Sequence, residues 1–146
     1  MKTGVKAALI AVAVTLVGIQ FVPVRRTHRA GSGDPTAPRD VQWILRRACY
    51  DCHSTESRWP IWAYIAPMSW RVVADVDRAR ARLNFSDWTT YDRQQRMALR
   101  SVIGPITASH RMPLWYYMTL HPDARLSDSD LTALQRWSDS ATAEGP

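Results

Sequence analysis

Residues 49–53 read Cys-Tyr-Asp-Cys-His, and they hold the only two cysteines of the 146-residue chain. Three ordinary uses of such a run can be weighed against its neighbours. A zinc site wants four ligands, usually with a second Cys or His pair. Here both cysteines are already spent, and no H-x-x-x-H pair follows. A thioredoxin-like redox pair belongs in a βαβ setting, and no alternating pattern in this chain is long enough for a confident strand. A structural disulfide suits an exported protein but gives His53 no purpose. The remaining reading accounts for all three residues. C-x-x-C-H is the attachment pattern of one covalent haem c. The two-residue spacing lets both sulfurs reach the two vinyl groups along one macrocycle edge. The next residue, His53, then lies under the iron as an axial ligand.

A second axial ligand must come from elsewhere, and Met68, Met112, Met118, His110 and His121 are the candidates. Met112 leads because Pro113 follows it and biases it away from helix toward an extended conformation. An extended loop can cross a haem face, whereas a helical methionine is more often core packing. His110, two residues away, is the alternative, and His121 before Pro122 shares the extended bias. His28 stands in the N-terminal linker, far from the motif in sequence. Trp59 and Trp62 follow the motif closely enough to pack on a haem edge. Trp115, Tyr116 and Tyr117 follow Met112 and can wall the other side. The bland role for all of them is core.

The net charge of +6 is unevenly spread. Residues 1–30 carry five basic groups and no acidic one, while the rest carries 14 basic and all 13 acidic groups. The globular part is therefore close to neutral, with Arg and Asp interspersed. This excludes the basic stripe that a nucleic-acid partner would need. The basic N-terminal charges flank an apolar run from Ala7 to Val24, at the border between a signal-peptide core and a spanning helix. Arg25 and Arg26 make a poor cleavage context, and the nearest small-residue site is Ala30-Gly31-Ser32. Residues 1–24 are therefore expected to be an uncleaved anchor, with a cleaved signal peptide and a soluble periplasmic domain as the alternative. Arg25, Arg26 and Arg29 outnumber Lys2 and Lys6, which by the positive-inside rule alone favours the opposite orientation. The haem motif requires export and overrides that count.

The expected organisation is mostly α: an anchor, a Gly/Pro/Ser-containing linker over 25–39, a haem domain over 40–140, and a tail over 141–146. Asp40 is expected to cap a helix with Val41, Ile44, Leu45 and Ala48 on one face, ending near Cys49. A Trp- and Pro-rich loop over 54–67 leads to a helix over 67–83. There Val72, Val76, Ala79 and Leu83 form the apolar stripe, and Arg71, Asp75, Arg78 and Arg82 the opposite, charged face. Thr89 and Asp92 suggest a capping box for a third helix, broken by Gly104-Pro105. A piece of helix can resume from Pro105 toward Ser109. Ser127 and Asp130 form a second box, with Leu126 stapled to Leu131 and a stripe of Leu131, Leu134 and Trp137.

The chain also resembles the bacterial haem-binding domain family built around a single C-x-x-C-H motif. The resemblance runs from about Val41 to Trp137. It rests on Cys49-Tyr-Asp-Cys-His53-Ser54, Arg58-Trp59-Pro60, Ile65-Ala66-Pro67 with Ser69-Trp70, and Leu83-Asn84-Phe85-Ser86. Met112-Pro113, His121-Pro122 and the Leu126-Ser127 helix start before Trp137 complete it. It implies a small, mostly helical, cytochrome c-like fold around one haem and supports Met112, since Met-Pro is a family feature. Arg111 departs from the acidic residue that often precedes that Met-Pro, which keeps His110 in play.

These readings imply an electron carrier rather than an enzyme. A periplasm-facing monohaem c-type cytochrome, held at the bacterial inner membrane by its N-terminal helix, would exchange single electrons with redox protein partners. The alternatives are a haem-based sensor or ligand-binding domain, which needs a labile sixth ligand, and a small peroxidase-like enzyme. The last needs an open iron and a distal acid/base group such as His110.

Overall fold

In the computed structural model, which describes residues 2–27 and 29–143, the chain is helical as expected and no strand forms among the described residues. The apolar N-terminal run makes α1 (Lys2–Gly18), extended by a 3-10 turn over Ile19–Phe21. Its Thr3–Phe21 stretch is long and apolar enough to cross a membrane, and none of that stretch is buried against the domain. This is the property of both an anchor and a signal sequence.

The next helices are α2 (Arg39–Ala48) and the single turn α3 (Tyr50–His53). Val41, Ile44, Leu45 and Ala48 are all buried, as the spacing predicts. Asp40 does not cap α2. The helix begins two residues earlier, at Arg39 after Pro38, and Asp40 lies in its first turn with its carboxylate accepting from the Val41 amide at 2.9 Å. A carboxylate there still offsets the positive end of the helix dipole.

Helix α4 (Met68–Arg82) departs more from the expected pattern. Its fully buried side chains are Ser69, Val73 and Val76, so the packed stripe is rotated from the one read from sequence. Val72, Ala79 and Leu83 are only half-buried. A 3-10 turn over Trp88–Thr90 then leads to α5 (Arg93–Ser101). Here the capping box is Asp92 with Gln95, not Thr89 with Asp92. The Asp92 carboxylate accepts from the Gln95 amide at 2.7 Å, and the Gln95 side chain accepts in return from the Asp92 amide at 2.9 Å. The break falls at Val102, so Gly104 and Pro105 sit in the first turn of α6 (Ile103–Ala108). Proline is tolerated there because first-turn amides have no intrahelical acceptor.

Helices α7 (Trp115–Leu120) and α8 (Asp128–Ala143) follow. The box before α8 forms as expected. The Asp130 carboxylate accepts from the Ser127 amide at 2.8 Å, and the Ser127 hydroxyl accepts from the Asp130 amide at 3.3 Å. Leu134 and Trp137 are buried while Leu131 is half-buried, and Ala133, Ser138 and Ala141 extend the buried face. Residues 141–143 thus belong to the packed helix and not to a tail. The rest of the expected tail, 144–146, lies outside the described residues, as does His28.

Val41, Ile44 and Leu45 of α2 meet Ile103 of α6 and Leu134 and Trp137 of α8 in one core. Tyr50 of α3 joins it, stacked on Phe85 with centroids 5.2 Å apart, and Phe85 packs in turn on Trp88. The motif turn is thereby built onto the core. Arg47 fastens the end of α2 to the other side of the domain, donating to the carbonyls of Asp123 and Arg125 and to the Asp130 carboxylate. The expected linker is not a free tether. Its Ser32 and Gly33 amides donate to the Ser86 carbonyl, Trp88 donates to the Gly33 carbonyl, and Arg80 donates to Thr27. Pro35 is buried. Thr27 and residues 29–35 lie as a strap across the end of α4 and the loop that follows it.

Candidate haem site

Helix α3 places the motif residues by local geometry alone. The amides of Cys52 and His53 both donate to the Cys49 carbonyl, at 3.2 and 2.9 Å. Residues at i, i+3 and i+4 of a helical turn share a face, so Cys49, Cys52 and His53 look the same way. The intervening residues look elsewhere: Tyr50 into the core, and Asp51 toward Tyr117 and Arg58.

All three motif residues line one cavity of about 300 Å³, together with Ala79 of α4, Met112 and Tyr117. A second, strongly apolar cavity of about 400 Å³ adjoins it and shares Cys52, Leu114 and Tyr117. Trp59, Trp62, Trp115 and His121 line that neighbour. Both volumes fall in the roughly 300–1,000 Å³ range of cofactor pockets.

His53 is held from behind by the segment after α4. Its Nδ1 lies 3.0 Å from the Leu83 carbonyl, its own carbonyl accepts from the Phe85 amide at 2.7 Å, and the Phe85 ring meets the imidazole edge-on. With Nδ1 committed as donor, Nε2 is the nitrogen left to bind a metal, the usual arrangement of a ligating histidine. Burial pushes the imidazole below its ordinary range, against the opposing pull of the Leu83 and Ala79 carbonyls. The neutral ring, the form able to bind a metal, is therefore favoured.

The thiols are equally informative. Burial, reinforced by the proximity of Cys52, pushes Cys49 up to about 12. Burial, with Asp51 and Asp75 adding to it, pushes Cys52 up to about 11. A redox-active or metal-binding pair needs an accessible low-pKa thiolate, and this environment does the opposite. It suits neutral sulfur, of which a thioether is one form. The two cysteines are not joined as a disulfide. Among the described residues no group of three or more His, Cys, Asp or Glu side chains could hold a metal ion.

Of the five candidates for the sixth position, the structure brings only Met112 to the cavity of the motif. His110 is exposed, in a left-handed conformation (φ 53°) just beyond the end of α6. His121 lines the adjoining cavity, where it stacks on Tyr117 at 4.3 Å. Met68 lines that cavity as well, half-exposed, and Met118 lines neither.

Two contributions were not legible in the sequence. One is the Leu83 carbonyl, because a backbone acceptor has no residue-type signature. The other is the charged stripe of α4. Arg71, Asp75, Arg78 and Arg82 do lie opposite the buried residues, with the three arginines exposed, and they also border the cavity of the motif. Asp75 there accepts from Arg71, Arg78 and the Tyr116 hydroxyl. The signal available was the density of arginine at helical spacing, which has no need of a cavity to be explained.

The haem-binding domain family matches residues 14–140, from within α1 almost to the end of α8. The chain belongs to this haem-binding domain family. Haem binding accounts for an apolar cavity bordered by two protonated thiols, an oriented neutral histidine and a methionine. No curated protein and no solved structure matches the chain.

Proposed function

We propose that this haem-binding domain is a monohaem c-type cytochrome that passes single electrons between redox protein partners. It would be held on the periplasmic face of the bacterial inner membrane by an uncleaved α1. The observation that carries the reading is the shared cavity of Cys49, Cys52, His53 and Met112, with His53 Nδ1 engaged by the Leu83 carbonyl. Haem, when bound, supplies a one-electron iron couple. Cys49 and Cys52 would hold it through two thioethers, each thiol supplying the sulfur and the hydrogen that saturate one vinyl group. His53 and Met112 would supply the two protein ligands to its iron, and the methionine ligand would raise the potential. Ligation by both side chains would leave no site at the metal for a substrate, which favours a carrier over an enzyme. Arg71, Arg78 and Arg82 on the cavity border are suited to the propionate carboxylates, since guanidinium pairs with carboxylate through a fixed fork of donors.

The sensor and peroxidase-like readings need an open iron. The latter also needs a distal acid/base group, and the exposure of His110 away from the cavity gives it no support. The test is acid–organic extraction of protein produced with a c-type maturation system. Haem should stay on the unmodified polypeptide and be released from Cys49→Ala/Cys52→Ala. Complete extraction from the unmodified protein would refute covalent attachment.

A further inference from the structure

Residues 59–68, Trp-Pro-Ile-Trp-Ala-Tyr-Ile-Ala-Pro-Met, contain no charged side chain. They fold as a 3-10 turn over Ile61–Tyr64 that continues extended at Ile65. Ala63 and Ala66 face inward and are buried, but the outer side is left apolar and open. Ile61 is 72% exposed, Tyr64 57%, Ile65 52% and Met68 48%. Single exposed apolar residues need no explanation, whereas a contiguous set marks an interaction surface.

The position of this surface says what covers it. Gln20, at the end of the apolar N-terminal helix, bonds twice to the backbone of Ala66. Its amide nitrogen donates to the Ala66 carbonyl at 3.1 Å, and its oxygen accepts from the Ala66 amide at 2.9 Å. Arg26 donates to the Ala63 carbonyl at 2.8 Å and lies over the Tyr64 ring at 4.2 Å. The segment is therefore tied, by its own main chain, to the residues at which the helix ends. The 19-residue stretch Thr3–Phe21, at a rise of about 1.5 Å per residue, is about 28 Å long and matches a hydrocarbon core. Gln20 then lies at the lipid–water interface, and whatever bonds to it lies at the same depth. The composition agrees: Trp62 and Tyr64 with a neighbouring Arg25 and Arg26 is a mixture of side chains suited to the membrane–water interface.

We propose that Ile61–Met68 is a membrane-resting edge, seated in the headgroup region of the bilayer that α1 crosses. The occupant of the exposed apolar surface is lipid, and the haem domain is held against the membrane instead of swinging on a tether. This rests on the anchor reading of α1 and is independent of the haem chemistry.

The test uses the full-length holoprotein in phosphatidylcholine/phosphatidylglycerol vesicles that carry a phospholipid with a diazirine in the upper acyl chain. After illumination, adducts are mapped by peptide mass spectrometry. The expected result is adducts on both α1 and Ile61–Met68. Ile61→Asn/Ile65→Asn should lower labelling of the segment about tenfold, the scale set by withdrawing two partly inserted side chains, and leave α1 labelling unchanged. Should the double variant fail to assemble, Ile61→Asn alone, at the most exposed position, should lower the segment's labelling in the same direction. Adducts on α1 without any on the segment would overturn the proposal and leave the anchor standing. No adducts on α1 would remove both, with haem attachment unaffected. Crosslinks between two copies through the segment, in place of lipid adducts, would mean that protein covers it and would also overturn the proposal.

Discussion

Phe85 joins the core to the histidine, and its truncation measures that coupling. The ring is 1% exposed, stacks on Tyr50, packs on Trp88 and meets His53 edge-on. Phe85→Ala removes a fully buried aromatic and leaves a cavity that its neighbours can only partly fill, a loss of about 3–5 kcal/mol. That is a large share of the roughly 5–15 kcal/mol that stabilises a domain. With a urea dependence of about 2 kcal/mol per molar for a domain of this size, the unfolding midpoint should fall by about 2 M. Phe85→Leu keeps most of the volume and should fall about half as far. The assay is urea unfolding of the full chain in detergent, followed by far-ultraviolet circular dichroism, with Trp43→Ala as the control. Trp43 is 65% exposed, with Arg47 lying over its ring, so its change should stay within about 0.5 kcal/mol. If Phe85→Ala shifts the midpoint no more than Trp43→Ala, the core assignment behind His53 is wrong.

Three further outcomes follow from named contacts. Met112→Ala should open the ferrous iron to carbon monoxide and abolish the near-infrared sulfur-to-iron band of the ferric protein, while His110→Ala leaves both unchanged; loss of the band in His110→Ala alone would exclude Met112. Gly104→Ala should cost about 1–3 kcal/mol, because an added Cβ would stand 2.9 Å from the Ser138 Cβ and 3.0 Å from the Gln135 Cα on α8; an unchanged urea midpoint would show that α6 and α8 are not in that contact. Burial works to raise the Asp130 carboxyl, but bonds from the Ser127 amide and hydroxyl and from Arg47 outweigh it and hold the group below its ordinary range. A lowered folded-state value means that its contribution is complete above the unfolded value, about 3.9, and is lost as pH falls through the folded one. Asp130→Asn should therefore be less stable near neutrality and lose less on acidification below about pH 4, and parallel stability–pH curves for the two proteins would contradict this.

Much of this protein was legible one residue at a time. The face shared by Cys49, Cys52 and His53 follows from the rise and turn of a single helical turn, whatever surrounds it. The buried stripe of α2 and the box that starts α8 are likewise local, since their partners lie within four residues. Local rules failed where two local answers competed. Asp92 stood in both possible boxes before α5, and it took its partner from the residues that follow it, not from Thr89. Other features were decided only when distant segments met. The spacing of α4 allowed more than one packed stripe, and its surroundings chose Val73 and Val76, which left Arg71, Arg78 and Arg82 exposed at the border of the cavity. Gly104 reads as a helix breaker in sequence, yet its lack of a side chain serves the close approach of α8. Pro113 and the family resemblance put Met112 ahead of His110, two residues away, without excluding it; the turn after α6 exposes His110 and brings Met112 to the cavity. The Leu83 carbonyl that orients His53 belongs to a group every residue possesses. Sequence spacing encodes which side chains share a face of one element, because that depends on backbone geometry alone. Which face meets which depends on shape and burial summed over segments 30 to 83 residues apart, as in His53 with Leu83 and Arg47 with Asp130, and no periodicity records it.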